Sequence, residues 1–99
     1  MAGPEARLRS SIVKALRQYS GFWFVTHGGQ FQQTGLPDIL GCYGGWFIGL
    51  EVKVPGREHT LTPKQSHALK AIRDAGGKAK MVTSVSEAMD FVFDTSPLQ

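Results

Sequence analysis

Cysteine is nearly absent from this chain, because Cys42 is the single one among 99 residues. An intramolecular disulfide framework and a cysteine-based zinc site are therefore excluded, and this usage is typical of a reducing compartment. No apolar run reaches the roughly 18–20 residues that a membrane-spanning helix requires. The N-terminus also lacks the apolar segment of a signal peptide. We expect an intracellular protein that does not enter a membrane.

The chain also has little length and little excess charge. Eleven basic and eight acidic residues give a net charge of +3, which suits a polyanionic partner without requiring one. A chain this short buries only about 60–65% of its unfolded surface, which leaves no room for a second domain or a large organic cofactor. Residues 1–99 are therefore expected to form one domain.

Hydrophobic spacing and turn signals predict an α/β fold with the element order α-β-β-β-α-β-α. The predicted elements are a helix over 4–19, strands over 22–27, 38–43 and 46–53, a helix from 63 to the glycines at 76 and 77, a strand over 79–83 and a helix after 84. The aromatic first strand lacks alternation, so we expect it to be covered on both faces, with Phe22 and Phe24 as core or interface residues. The strand–helix–strand passage predicts a right-handed parallel crossover. A mixed central sheet flanked by helices follows.

The glycine pair between the second and third strands sets a hairpin register. If Gly44-Gly45 forms a two-residue loop, the register places Asp38 directly opposite Glu51. Cross-strand partners share a face, with Cβ atoms about 4.5–5.5 Å apart. Lys53 lies two residues beyond Glu51 and so belongs to the same face. Two carboxylates and one ammonium group are therefore expected together.

Opposed carboxylates repel each other and destabilise a sheet. A divalent cation would remove that repulsion, and an oxygen-rich site favours Mg²⁺ or Mn²⁺. Glu5 projects from the apolar stripe of the first helix, so it is a candidate third carboxylate if that helix packs across the same face. Taken singly, Asp38 suits an ordinary turn, and Glu51 with Lys53 suits a surface ion pair. Their joint occurrence favours a metal site.

Two motifs carry a resemblance to a known family. The sequence Gly35-Leu36-Pro37-Asp38, followed after twelve residues by Glu51-Val52-Lys53, resembles the PD-(D/E)xK nuclease signature. With Leu61-Thr62-Pro63-Lys64-Gln65 opening the next helix, the chain resembles more narrowly the virus-type replication-repair nuclease (VRR-NUC) domain. It is similar in size to free-standing phage members of that family. The resemblance implies a restriction-endonuclease-like core.

The resemblance also implies a role for each matching residue. Asp38 and Glu51 would bind the metal ion together with the backbone carbonyl of Val52. Lys53 would be the catalytic lysine. Glu5 would match the helix-borne glutamate of the family and add a further metal ligand.

Three further residues are candidates near this site. The resemblance matches Gln65 to a glutamine that takes part in catalysis, although the same residue completes a capping box with Thr62. Its position on the sheet-facing side of the helix favours the role near the site. Arg57 and Lys64 flank the predicted site, where they are candidates to bind nucleic-acid phosphates.

These residues predict a Mg²⁺- or Mn²⁺-dependent DNA endonuclease. The resemblance implies a homodimer that cuts branched DNA such as four-way (Holliday) junctions, in the cytoplasm of a bacterial host if the chain is of phage origin. Phe91 and Phe93, on nearly opposed sides of the last helix, make that helix the candidate dimer contact. The alternatives are a non-catalytic DNA-binding module of the same fold, and a flap or general nuclease.

Overall fold

The computed structural model describes residues 3–26 and 35–94. The element order matches the prediction, and the fold is α/β. The helices are α1 Pro4–Leu16, α2 Pro63–Asp74 and α3 Val85–Phe93, the strands are β1 Phe22–Val25, β2 Ile39–Tyr43, β3 Trp46–Val52 and β4 Lys78–Val82, and a short 3-10 turn spans Glu58–Thr60. None of the helices in these described ranges is both long and apolar enough to cross a bilayer.

The four strands form one mixed sheet in the order β1-β2-β3-β4. The β1–β2 and β2–β3 pairs are antiparallel, and β4 runs parallel to β3 after the crossover through α2. This arrangement is compatible with a restriction-endonuclease-like core. The predicted end of the first strand, at His27, lies outside the described residues.

The β2–β3 hairpin has the predicted register. Tyr43 pairs with Trp46, and Ile39 pairs with Leu50 at the other end of the ladder. The loop glycines at 44 and 45 have φ values of 60° and 85°, a region that other residues adopt only at a cost. The turn chemistry therefore determines which residues face each other across the two strands.

Helices cover the two faces of the sheet unequally. On one face, apolar residues of α1 and α3 join alternate residues of the strands in the main core. That core comprises Ile12, Val13, Leu16, Trp23, Ile39, Ile48, Leu50, Val52, Val82, Ala88 and Val92. On the other face, α2 packs over β3 and β4, and a Cβ on Gly49 would lie 2.7 Å from the Cδ1 atom of Ile72. The missing side chain at position 49 is what lets α2 approach this closely.

The prediction that β1 is covered on both faces is wrong. Trp23 is only 4% exposed, whereas Phe22 is 67% exposed and Phe24 is 40% exposed. β1 is an edge strand of the sheet. The helix on the second face, α2, packs over β3 and β4, in the half of the sheet away from β1. The guanidinium Nη2 of Arg17 donates a hydrogen bond to the carbonyl of Trp23 at 3.0 Å. The two phenylalanines are therefore surface residues and not core residues.

The aromatic side chains of α3 pack against other residues of the same chain. The ring of Phe93 packs against Tyr43 and Tyr19, with centroid separations of 4.7 and 5.2 Å. The ring of Phe91 lies 5.0 Å from the ammonium nitrogen of Lys78. Both rings are partly buried by these contacts. The role of α3 in a dimer stays a prediction.

Candidate active site

The candidate site lies where β3 ends. Glu51 is the penultimate residue of that strand and Lys53 is the first residue beyond it. Glu51 alternates with core residues and so lies on the face opposite α1. Both charged residues are buried, with 2% and 7% of their surface exposed. A buried carboxylate and a buried ammonium group beside each other are costly to maintain without a function.

Asp38 is held at the same place by the backbone of the sheet. Its Oδ2 atom accepts a hydrogen bond from the Val52 N–H at 2.8 Å. Continuing the hairpin register places Pro37 opposite Val52, and proline has no N–H with which to continue the ladder. The backbone N–H of Thr26 donates to the Asp38 carbonyl at 2.9 Å. The Asp38 carboxylate therefore supplies the acceptor for the Val52 N–H, while the Pro37 carbonyl accepts from the Thr26 hydroxyl, and proline leaves a gap only on the donor side of the ladder.

The same gap bears on the carbonyl of Val52. In an antiparallel ladder, the N–H and the C=O of one residue point toward the same neighbouring strand. The Val52 N–H points toward β2, whereas the next N–H, of Lys53, donates to the Val82 carbonyl of β4 at 3.1 Å. The Val52 carbonyl thus faces the position of Pro37, which has no hydrogen to donate. An oxygen without its ladder donor suits the metal-ligand role implied for Val52.

Glu51 carries the strongest electrostatic perturbation. Its pKa is raised from 4.5 to about 8, first by burial and then by the charge of Asp38 and a hydrogen bond to Asp38, while Lys53 acts in the opposite direction. The Oε1 atom of Glu51 is buried without a hydrogen-bond partner. An ionised carboxylate at this buried position has neither water nor a hydrogen-bond donor for this oxygen, and a bound cation would compensate its charge. This orphaned oxygen beside a second carboxylate fits a divalent cation.

Lys53 lies between two carboxylates. Its Nζ atom is 3.8 Å from Glu51 Oε2 and also 3.8 Å from Glu5 Oε1. The Glu5 side chain is 45% exposed and belongs to the first turn of α1. The apolar residues of α1 pack in the core with Leu50 and Val52, which lie on the face of β3 opposite Glu51. Glu5 nevertheless reaches the site from the end of the helix, through Lys53.

Asp38 and Glu51 are therefore the two carboxylates that could bind one metal ion together. Within residues 3–26 and 35–94, no three acidic, histidine or cysteine side chains are already grouped to hold a metal ion. Mg²⁺ is commonly bound by one or two carboxylates and keeps several water ligands. The Asp38–Glu51 pair with the Val52 carbonyl fits that pattern.

Arg9 is a neighbour of the site that the sequence analysis missed. Its Nη1 atom lies 3.7 Å from Asp38 Oδ1, and the two side chains are 17% and 20% exposed. Arg9 follows Glu5 by four residues on α1, so both lie on one side of the helix. That spacing is a signal in the sequence, but Arg9 lies off the apolar stripe of α1 and matches no residue of the two motifs.

Arg57 lines an open cleft beside the site. The cleft has a volume of about 440 Å³ and also includes Glu5 and Lys53 among its walls. Lys64 lines a different groove, of about 700 Å³, next to Leu36 and Pro37. Arg57 is therefore better placed than Lys64 to contact a phosphate group near Lys53.

Gln65 forms the predicted capping box. Its Oε1 atom accepts from the Thr62 N–H at 2.9 Å, and its own N–H donates to Thr62 Oγ1 at 3.1 Å. The side-chain oxygen is thus used at the start of α2. The catalytic role that the resemblance implies for Gln65 stays a prediction.

No family model, curated protein or solved structure matches the chain.

Proposed function

We propose that this chain is a Mg²⁺- or Mn²⁺-dependent endodeoxyribonuclease of the VRR-NUC type. The observation that carries the proposal is the buried Glu51 carboxylate, with an unpaired oxygen, between Asp38 and Lys53. Such an arrangement stores repulsion that a structural role does not need, because both strands would be more stable with neutral residues. The resemblance of the two motifs to the nuclease signature agrees with the chemistry of these groups.

Asp38, Glu51 and the Val52 carbonyl would hold the ion. When bound, the ion makes a water molecule more acidic and stabilises charge on the leaving oxygen of the phosphodiester. Lys53 contributes a compact positive charge that orients the attacking water or neutralises the scissile phosphate. The Glu51 and Glu5 carboxylates, each 3.8 Å from its Nζ atom, attract the ammonium group from two sides.

The cleft beside Lys53 would receive the DNA backbone. Arg57 contributes a positive charge to its wall, and arginine suits bidentate binding of phosphate oxygens. Arg9, at 3.7 Å from Asp38, would add a second guanidinium near the cut. Contacts of this kind position the strand without reading its sequence.

Branched DNA and a homodimer form part of the proposal. Residues 3–26 and 35–94 form one such site, and one site would hydrolyse one strand at a time. Paired incisions across a four-way junction would require two copies. A junction is therefore the first substrate to test.

The experiment is a cleavage panel with purified protein and four labelled DNAs: a four-way junction, a flap, a linear duplex and a single strand. Each DNA is incubated with Mg²⁺, with Mn²⁺ and with EDTA. We expect metal-dependent cutting, fastest on the junction, with loss of cutting but not of DNA binding in Lys53→Ala. Lys70→Ala is the matched control, since Lys70 is exposed and paired with Asp74 on α2.

Other outcomes of this panel separate the alternatives. Binding without cutting at any divalent ion would identify a DNA-binding module. Preferred cutting of the flap or of every DNA alike would identify a flap or general nuclease. Cutting that survives Lys53→Ala unchanged would contradict the proposed mechanism.

A further inference from the structure

Two phenylalanine rings stand exposed next to each other on the edge strand. Phe22 and Phe24 project from the same side of β1, because the residue between them, Trp23, points into the core. Their ring centroids are 6.0 Å apart and their planes are inclined by 52°. With 67% and 40% of their surface exposed, both rings present apolar area to solvent.

These rings occupy the same sheet face as Glu51. Phe24 pairs with Leu40, and Leu40 pairs with Gly49, so the three residues form one row across the sheet. Glu51 is two residues beyond Gly49 and therefore lies in the next row on that face. Strand spacing and rise place the Cα atoms of Phe24 and Glu51 about 12 Å apart. The rings are within a few nucleotides of the candidate site.

The exposed patch is small for a protein interface. Phe47, 49% exposed, extends it across the sheet in the row of Phe22, because Cys42 pairs with both Phe22 and Phe47. Applied to a full side-chain area of about 200 Å², the three exposed fractions give roughly 300 Å² of aromatic surface. A stable protein complex buries about 800 Å² on each partner. The patch by itself does not suffice for a second copy.

The surroundings of the patch favour a polyanion with flat apolar groups. Arg17 reaches the outer edge of β1, where its guanidinium bonds to the carbonyl of Trp23, the residue between Phe22 and Phe24. No acidic residue occurs within Phe22–Val25 or Ile39–Leu50. A nucleic-acid strand combines phosphates for such a cation with bases that stack on aromatic rings.

We propose that Phe22 and Phe24 form a stacking platform for two unpaired nucleobases of a DNA strand that runs toward the candidate site. The ring separation of 6.0 Å greatly exceeds the 3.4 Å rise per base of a duplex strand, so the platform suits an extended single strand. The proposal rests on the proposed function in that DNA is the partner. It assigns the unpaired part of a branched substrate to the β1 side of the sheet.

The test measures DNA binding in EDTA, where no cleavage interferes. Fluorescence anisotropy compares a short labelled oligothymidine with a labelled duplex for the parent chain and for a Phe22→Ala/Phe24→Ala double variant. Each stacked base contributes roughly 1–3 kcal/mol, so we expect a rise of at least about tenfold in the Kd for the single strand. The Kd for the duplex should stay unchanged. Trp46→Ala is the matched control, since Trp46 is 41% exposed and lies on the opposite face of the sheet.

A second double variant separates stacking from simple apolar contact. Phe22→Leu/Phe24→Leu keeps apolar side chains but removes the flat rings, so it should weaken single-strand binding as the alanine variant does. Phe22→Tyr/Phe24→Tyr should retain binding. Light scattering of each variant reports its oligomeric state, and circular dichroism confirms that it is folded.

Three results would overturn the platform. The first is equal single-strand affinity in the parent and the alanine variant, and the second is no detectable single-strand binding by the parent. The third is a loss of dimer in the alanine variant with unchanged single-strand affinity, which would make the patch an interface between copies. Ring-dependent binding in a chain that never cuts DNA would leave the platform intact and contradict the nuclease proposal alone.

Discussion

Replacing Glu51 by glutamine removes the buried charge while it keeps the size and shape of the side chain. Glu51 is 2% exposed, and its pKa is raised from 4.5 to about 8, first by burial and then by Asp38. In the absence of metal, the folded chain therefore holds the proton on Glu51 far more tightly than the unfolded chain does. The glutamine variant resembles the protonated form at every pH.

The sign of the effect follows from proton linkage. Between the unfolded pKa of 4.5 and the folded pKa of about 8, the folded chain binds more protons, so the free energy of unfolding falls as the pH rises. One pKa unit corresponds to about 1.4 kcal/mol, so the full cost of ionising Glu51 is on the order of 5 kcal/mol as an upper limit. This cost is fully present above the folded pKa and absent below the unfolded pKa.

The assay is thermal unfolding of the parent and of Glu51→Gln in EDTA, at about pH 4.5 and about pH 9, on either side of the titration. A change of 1 kcal/mol shifts the Tm of a domain this size by about 4–8 °C. We therefore expect the Tm difference, variant minus parent, to be at least about 5 °C larger at the higher pH than at the lower pH. Glu58→Gln serves as the control, because Glu58 is exposed. A Tm difference between parent and Glu51→Gln that does not change with pH would refute the buried-charge argument.

Three other predictions concern Asp38, Arg9 and Gly49. At about pH 9, above the folded pKa of Glu51, Asp38→Asn should leave the metal-free Tm equal or higher, because the amide oxygen still accepts from the Val52 N–H and the repulsion between two ionised carboxylates is gone; a clear fall in Tm would make Asp38 a structural residue. Arg9→Gln should lower kcat/KM for DNA cleavage by at least about tenfold, as expected for a lost charged contact of roughly 1.5–3 kcal/mol, while Lys14→Gln on the same helix should not; equal rates in both variants would remove Arg9 from the site. Gly49→Ala should cost about 1–3 kcal/mol of stability, measured by urea unfolding, because its Cβ would lie 2.7 Å from a side chain of α2; an unchanged midpoint would contradict that packing.

Local sequence signals predicted most of the fold. The Gly44-Gly45 turn determines the β2–β3 register, and Thr62 with Gln65 forms the expected cap of α2. α1 ends at Leu16 and not at Tyr19, because the N–H groups of Gln18 and Tyr19 donate to carbonyls three residues earlier and not four, so the last turn is no longer α-helical. Residues at a helix end can follow the apolar period without being helical, so the pattern alone does not locate the end.

Exposure and long-range contacts could not be read from the sequence. The aromatic run at β1 resembles a buried strand, yet its burial depends on where α2 lies over the sheet, which is a tertiary property. Asp38 and Glu51 could be predicted as a pair because the Gly44-Gly45 turn sets the hairpin register that places them opposite each other. Arg9 was missed because its contact with Asp38 depends on the placement of α1, which no local pattern determines.

The most direct measurement is cleavage of a labelled four-way junction by the parent chain and by Lys53→Ala, each with Mg²⁺ and with EDTA. We expect cutting by the parent with Mg²⁺ alone, and no cutting by the variant although it binds the junction as tightly. Cutting in EDTA, or equal cutting by both proteins, would contradict a carboxylate-held ion and a catalytic lysine at the end of β3.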